Sequence, residues 1–266
     1  MKKLFFRFDF SPKIKKFLTT LHNTQEQAIL WIIRQLLPFL FPRHCPLCDK
    51  LLPYGSFIHE ECHRELPLIH SPVCMRCGKP VSSHTQEYCY DCRAFPKSFQ
   101  RGLSLFLYNK KTRPIMSAFK YQNRRGLADF FCQELCRYRL SQLRDLGADA
   151  VIPVPIHKNK YKKRGYNQAE VFGRALSKET GIALDDKCII RKKSTVPQKK
   201  LSNEMRKINL QKAFGVDRKI CSEYKTVLLV DDIYTTGSTF DACAKVLKAA
   251  GVEKVYCLSV AVGRDG

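Results

Sequence analysis

The feature that most restricts the fold is a run of paired cysteines near the start of the chain. Seven of the thirteen cysteines lie between Cys45 and Cys92, in two Cys-x2-Cys knuckles that are each followed, at nearly equal distance, by a second pair of potential ligands. Four soft or borderline ligands in two pairs suit tetrahedral Zn²⁺, and a site closed by four protein ligands has no open position for chemistry. The sequence therefore predicts two structural zinc ions. One set of ligands is Cys74, Cys77, Cys89 and Cys92, and the other is Cys45, Cys48, His59 and Cys62.

Other roles are conceivable for these cysteines. We call the set that begins at Cys45 the first ligand set and the set that begins at Cys74 the second, by their order in the chain. In the first set, His63 lies beside Cys62 and could replace His59 as the fourth ligand. Disulfides are disfavoured by a cytosolic location, and a redox Cys-x2-Cys motif needs a thioredoxin-like context, which the sequence does not provide. Six further cysteines fall in predicted helices, strands or an ordinary loop, and buried apolar filler accounts for most of them. They are Cys132, Cys136, Cys188, Cys221, Cys243 and Cys257.

The segment before the cysteines is basic and rich in apolar residues. It contains no convincing signal peptide, because Arg7 and Asp9 interrupt its first apolar residues. Its longest apolar stretch, residues 28–41, is shorter than the ~20 residues that a helix needs to cross a bilayer. Two interpretations stay open: a helix packed on the protein's own core, or an interfacial helix that gives residues 1–41 a peripheral contact with the inner membrane. We expect a cytoplasmic protein that crosses no membrane.

From about residue 100 the pattern changes to short apolar runs that alternate with helical stretches. This alternation predicts an α/β domain with a largely parallel sheet flanked by helices. The expected organisation is an N-terminal helical extension over residues 1–43, a double zinc ribbon over 44–95 and the α/β domain over 100–266. Strands are expected at 103–108, 150–156, 187–191, 227–231 and 254–262, helices at 112–140 with a break near Gly126, at 167–180 and at 238–250, and a long functional loop at 192–212.

The most informative segment of this domain runs from Val227 to Thr239. A strand of buried type ends in Asp231 and Asp232, and a loop of hydroxyl residues around Gly237 then leads directly into a helix. The free N–H groups and positive dipole end of a helix N-terminus favour a phosphate, and glycine lets the backbone approach it closely. Carboxylates at the end of a parallel strand can accept hydrogen bonds from sugar hydroxyls. The segment predicts a sugar-phosphate site, although an isolated Asp-Asp would more simply be a solvated turn.

The whole segment resembles the phosphoribosyl diphosphate signature of type I phosphoribosyltransferases. Over residues 41–262 the chain resembles the competence protein F (ComF) family in its zinc-ribbon pairs and in several further motifs. These motifs are Phe119-Lys120-Tyr121, Pro153–His157, Arg164–Gln168 and scattered positions from Thr195 to Phe214. The resemblance implies a double zinc ribbon on a type I phosphoribosyltransferase-like domain, associated in naturally competent bacteria with uptake of transforming DNA. Two positions depart from the family pattern: His59 stands where cysteine is common, and Met205 where an acid is frequent.

By this resemblance, each segment has an expected role. Asp231 and Asp232 would hold the ribose 2′ and 3′ hydroxyls, directly or through Mg²⁺, and are grouped with Arg206 as the catalytic residues. Residues 156–160 take the place of the pyrophosphate loop and residues 191–212 that of the mobile catalytic hood. If the domain is active, pyrophosphate would be displaced from C1 of the ribose. The residues expected to bind phosphoribosyl diphosphate are Thr235, Thr236, Gly237, Ser238, Thr239, Lys158 and Arg164.

The charge of the chain indicates a polyanionic partner. It has 47 Lys and Arg against 24 Asp and Glu, a formal charge of +23 that exceeds what solubility or one small pocket requires. Together with the family resemblance, this favours a DNA-uptake factor that binds single-stranded DNA and phosphoribosyl diphosphate with Mg²⁺. The alternatives are a metabolic phosphoribosyltransferase with an unknown acceptor, and a zinc-ribbon adaptor that keeps the domain as a scaffold. A DNA-uptake helicase and a second copy of the chain, in a homodimer, are further candidate partners.

Overall fold

The computed structural model describes residues 43–53, 55–192 and 213–263. The expectations for residues 1–42 and for most of the hood segment, including Arg206, lie outside these ranges. Among the described residues, no helix is both long enough and apolar enough to span a bilayer.

Helices and strands alternate along the described chain. The helices are α1 (Glu60–Arg64), α2 (Tyr90–Ala94), α3 (Arg113–Tyr121), α4 (Leu127–Asp145), α5 (Lys158–Arg164), α6 (Gln168–Thr180), α7 (Arg218–Cys221) and α8 (Ser238–Ala249). The strands are β1 (Arg101–Leu107), β2 (Ala150–Pro153), β3 (Ala183–Leu184), β4 (Ile189–Arg191), β5 (Phe214–Val216), β6 (Thr226–Tyr234) and β7 (Lys254–Val262).

The core is one parallel sheet with the strand order β1-β7-β6-β2-β3. Residues 227–230 of β6 are completely buried, because alternate side chains face helices on opposite sides of the sheet. Leu228 belongs to the same hydrophobic cluster as Phe172 of α6, whereas Leu229 belongs to the cluster of Phe240 on α8. The predicted α/β class, a parallel sheet between helices, is therefore confirmed.

Several boundaries differ from the sequence-based expectation. Strand β6 continues three residues past Asp231, because Ile233 and Tyr234 still pair with β7. The turn expected at residues 156–160 includes the start of α5, which His157 caps by accepting a hydrogen bond from the backbone N–H of Asn159 at 3.2 Å. The break expected near Gly126 is present: residues 113–121 and 127–145 form two helices, and Gly126 is the N-cap of the second, which ends five residues later than expected.

Strands β4 and β5 form a separate antiparallel hairpin. These two strands lie directly before and after residues 193–212 in the chain. Their pairing therefore holds the two ends of the predicted hood segment side by side. Beside it, Cys188 and Cys221 form a disulfide that joins the hairpin to α7. These two cysteines are therefore not apolar filler, whereas Cys132, Cys243 and Cys257 are buried free thiols, as expected for most of the six.

The cysteine-rich module packs directly on the α/β domain. Gly78 has a φ of 74°, and a Cβ at this position would lie 2.5 Å from the carbonyl oxygen of Gly102 in β1. The Gly102 N–H donates to the carbonyl of Arg76 at 2.7 Å, which joins the two backbones. The thiols of the second knuckle share a hydrophobic cluster with Phe99 and Tyr234. Only glycine fits this close approach, and the module forms part of the core.

Candidate functional site

The second ligand set forms a compact cluster of thiols. The sulfur atoms of Cys74, Cys77, Cys89 and Cys92 all lie within 4.8 Å of one another, and all four residues are buried. Four sulfurs at the Zn–S bond length would be about 3.8 Å apart in a tetrahedron. Beside the cluster, the buried ammonium group of Lys79 forms an ion pair with Asp91 at 2.7 Å. The donor set, its size and its burial fit one structural zinc ion.

The geometry of the first ligand set favours His59 over His63 as the fourth ligand. His59 lies within 4.8 Å of the thiols of Cys45, Cys48 and Cys62. Its Nδ1 is 3.3 Å from the Cys48 sulfur, and its Nε2 lies 2.8 Å from the Leu51 carbonyl oxygen. A hydrogen bond from Nε2–H to this carbonyl fixes the ring with Nδ1 toward the thiols, as is typical of metal-binding histidines. The prediction of His59 as the fourth member of the set fits this geometry.

His63, the alternative ligand, has another partner. Its Nε2 lies 2.6 Å from Oε2 of Glu134 on α4, and this glutamate is almost completely buried. The His63 ring also meets Phe130 of the same helix edge to face. His63 therefore attaches the first zinc ribbon to the α/β domain.

The two predicted carboxylates lie near the carboxyl end of the central strand. Asp232 is buried and forms an ion pair with Lys120 at 3.1 Å, and its backbone N–H donates to Oδ1 of Asp231 at 2.8 Å. Burial and the charge of Asp232 raise the pKa of Asp231 to about 7, while the charges of Lys120 and Lys160 oppose this shift. The pair can therefore present one carboxylate and one carboxyl group that exchanges its proton near neutral pH.

The predicted phosphate loop is a tight turn between β6 and α8. Gly237 has a φ of 72°, and a Cβ at this position would lie 2.1 Å from the hydroxyl oxygen of Tyr234. The hydroxyls of Thr236 and Ser238 are 2.8 Å apart, and Thr235 and Thr236 are exposed. The turn therefore places exposed hydroxyl groups at the start of α8, where the N-terminal N–H groups of a helix favour a phosphate.

A half-buried guanidinium lies near Asp231. Arg191, at the end of β4, stacks over the Phe214 ring at 4.9 Å and donates through Nη1 to the Pro155 carbonyl at 3.4 Å. Burial lowers its pKa, and the Asp231 charge opposes this effect. Its Nε–H and the hydroxyl of Tyr234 have no hydrogen-bond partner within the described part of the chain. A cation near the two acids is suited to a ligand whose hydroxyl groups the acids bind and whose anionic group the cation binds.

The structure brings the two aspartates and residues 235–239 together, but it gives Arg164 other contacts. Arg164 donates to Oε1 of the buried Gln168 at 2.7 Å and lies over the Tyr121 ring at 5.1 Å. Lys158 lies on the first turn of α5, and it is the neighbouring Lys160 whose charge acts on Asp231. The role assigned to Arg164 thus remains a prediction.

The sequence assigned no individual role to Lys120 or Tyr234, and it included Arg191 only as the first residue of the predicted hood. Lys120 contacts Asp232 from a distant part of the chain, the charges of Arg191 and Asp231 act on each other, and the Tyr234 ring lies against Gly237 of the loop. The Phe119-Lys120-Tyr121 motif is the sequence signal that contains Lys120.

Two family models match separate parts of the chain. A family model described as a double zinc ribbon domain matches residues 36–93. A model described as a phosphoribosyl transferase domain matches residues 167–266, which include both aspartates and the loop around Gly237.

Three relatives cover most of the chain. "Competence protein F" of Haemophilus influenzae is 30% identical over 198 residues, which are 71% of this chain and 84% of the relative. "DNA utilization protein YhgH" of Escherichia coli K12 is 28% identical over 223 residues, or 82% of this chain and 96% of the relative. "Competence protein ComFC" of Bacillus subtilis is 25% identical over 225 residues, or 78% and 89%.

Proposed function

The chain belongs to the competence protein F family, and from this premise we propose that it binds phosphoribosyl diphosphate and single-stranded DNA and acts in DNA uptake during natural competence. The single observation that carries the proposal is the carboxylate pair of β6 followed by the tight hydroxyl-rich turn into α8. The proposal places the protein in the cytoplasm, where the N-terminal residues 1–41 would make a peripheral contact with the inner membrane.

The geometry supports a ribose 5-phosphate moiety as the ligand. In the proposed complex, the turn at residues 235–239 holds the 5′-phosphate, because its hydroxyls and the start of α8 supply donors to an anion. Asp231 and Asp232 accept hydrogen bonds from the ribose hydroxyls. Bound Mg²⁺ would supply positive charge to the pyrophosphate group, and an oxygen-rich carboxylate pair fits such an ion.

The cations around the carboxylates would serve the pyrophosphate end of the ligand. Arg191 is half-buried near Asp231, and its Nε–H has no hydrogen-bond partner among the described residues. Lys120 lies 3.1 Å from Asp232. If the domain is catalytic, these charges would stabilise the negative charge that develops on departing pyrophosphate. Arg206 and Lys158 are proposed for the same role from the family resemblance, and residues 191–212 would cover the bound ligand. The acceptor is not specified by any of these groups.

The proposed DNA binding is supported by charge and by the names of the relatives. The formal charge of +23 is much larger than a pocket for one small anion requires. The relatives are described as competence and DNA utilization proteins. A metabolic phosphoribosyltransferase whose basic surface only attracts its substrate is the second candidate, supported by the match of residues 167–266 to the phosphoribosyl transferase domain.

Binding of a labelled single-stranded 30-mer, measured by fluorescence anisotropy over a salt series, separates these two functions. The proposal predicts that the logarithm of the binding constant falls linearly with the logarithm of the salt concentration. The slope should be near −3.5 if about five phosphates are contacted. Undetectable DNA binding at low salt, combined with intact binding of phosphoribosyl diphosphate, would favour the metabolic enzyme instead.

A further inference from the structure

An exposed tyrosine next to the carboxylate pair is held in place by an arginine. Tyr121, the last residue of α3, is 60% exposed. The guanidinium of Arg164 lies 5.1 Å from the centre of its ring, and Nη2 of Arg164 is 3.4 Å from its hydroxyl oxygen. An aromatic ring that stays this exposed beside a guanidinium is a surface on which another planar group can stack.

Buried residues fix the position of this pair. Arg164 donates to Oε1 of Gln168 at 2.7 Å, and Gln168 is 1% exposed. The buried Tyr166 donates its hydroxyl hydrogen to the carbonyl of Phe119 in the turn that carries Tyr121. The ends of α3 and α5 are thus joined through the core, so the ring and the guanidinium lose little freedom when a ligand binds between or beside them.

The two segments that carry the pair are basic. Residues 109–128 and 150–169, which meet at Tyr121 and Arg164, contain no aspartate or glutamate. Near the meeting point they carry Lys120, Arg124, Arg125, Lys160, Lys162 and Lys163. Tyr161, which is 50% exposed, lies three residues before Arg164 on α5, the spacing of neighbours on one helix face. Aromatic rings among cations are the arrangement that binds unpaired bases together with their phosphates.

We propose that Tyr121 and Arg164 form a base-stacking site for single-stranded DNA at the edge of the carboxylate pocket. This inference rests on the proposed function and gives it a location. Because Lys120 precedes Tyr121 and contacts Asp232 at 3.1 Å, a base stacked on Tyr121 lies next to the phosphoribosyl diphosphate pocket. The backbone of the same strand then follows the cations of α5.

Anisotropy with a labelled oligo-dT 30-mer and the full chain tests this site. Tyr121→Ala should weaken binding at least fivefold, because loss of one base–aromatic stack is worth about that or more. The salt slope should not change, because the substitution removes no charge. Tyr121→Phe should keep the affinity within about twofold, since the stacking ring remains. Arg164→Gln should reduce the slope by about 0.7 if the guanidinium contacts one phosphate.

Tyr138→Ala is the matched control, because Tyr138 is a 44% exposed tyrosine on α4, outside the two acid-free segments. If Tyr121→Ala binds the 30-mer as tightly as Tyr138→Ala does, while the unmodified chain binds well, the stacking site is wrong and the proposed function stands. If the unmodified chain fails to bind the 30-mer, the proposed DNA binding and the stacking site both fail. The melting temperatures of Tyr121→Ala, Tyr121→Phe and Tyr138→Ala, with and without phosphoribosyl diphosphate, confirm that the fold and the pocket are intact.

Discussion

Replacing Gly237 by alanine tests how tightly the phosphate loop is built. The residue has a φ of 72°, and the new Cβ would lie 2.1 Å from the hydroxyl oxygen and 2.4 Å from Cζ of Tyr234. This ring has little room to move, because it stacks on Phe240 with 5.8 Å between centroids and meets Phe99 edge to face at 6.4 Å. The substitution must therefore displace either the loop or the aromatic cluster below it.

The cost has two parts. A left-handed backbone costs alanine about 1–2 kcal/mol, and the clash with a well-packed ring costs about 1–3 kcal/mol more. Gly181→Ala is the matched control, because Gly181 ends α6 with a φ of 80° but has no atom within 4 Å of its Cβ position. We expect the free energy of unfolding to fall by about 2–5 kcal/mol for Gly237→Ala and by only about 1–2 kcal/mol for the control.

Urea unfolding followed by circular dichroism measures both variants. With a denaturant slope of about 3 kcal/mol per molar, a loss of about 3 kcal/mol lowers the midpoint by about 1 M. Gly237→Ala should also lose the thermal stabilisation by phosphoribosyl diphosphate, which Gly181→Ala should keep. Equal midpoints for the two variants would show that Tyr234 yields easily, and would refute the argument that this ring fixes the loop.

Two further predictions concern the zinc ribbons and the carboxylate pair. Elemental analysis should find two zinc ions per chain, and fewer than one in the unmodified chain would contradict the assignment. Cys77→Ser should keep one zinc ion. It should also lower the melting temperature of the whole chain, because Cys77 shares a cluster with Phe99 and Tyr234. The pKa of Asp231 is raised from 3.8 to about 7, so between these values the folded chain binds a proton that the unfolded chain has released. This group therefore lowers the free energy of unfolding as the pH rises from about 4 to about 7. Asp231→Asn should remove that decrease in urea midpoint, and an unchanged pH profile would contradict the raised pKa.

Local signals carried most of what the sequence predicted correctly. The zinc ligands lie close together along the chain, so their spacing alone indicated both sets and favoured His59. The strand β6 was recognisable because a fully buried strand is a continuous apolar run. The loop after it was recognisable because its hydroxyls and Gly237 form one short segment.

Contacts between distant segments could not be predicted in this way. Lys120 reaches Asp232 only because α3 ends over the carboxyl end of β6, which depends on how the whole domain packs. The Cys188–Cys221 disulfide joins residues 33 positions apart, with nothing in either segment to mark the other. The last three residues of β6 were not predicted as strand, because their pairing depends on β7, which begins only at Lys254.

Calorimetric titration with phosphoribosyl diphosphate and Mg²⁺ tests the central claim most directly. The full chain should bind one equivalent, and the double variant Asp231→Asn with Asp232→Asn should show no binding heat. Asp145→Asn with Asp186→Asn is the control of equal charge, because neither residue lies on β6 or in the loop after it, and it should bind as the unmodified chain does. Undiminished binding by the Asp231 and Asp232 double variant, or no binding by the unmodified chain, would contradict the assignment of this pocket.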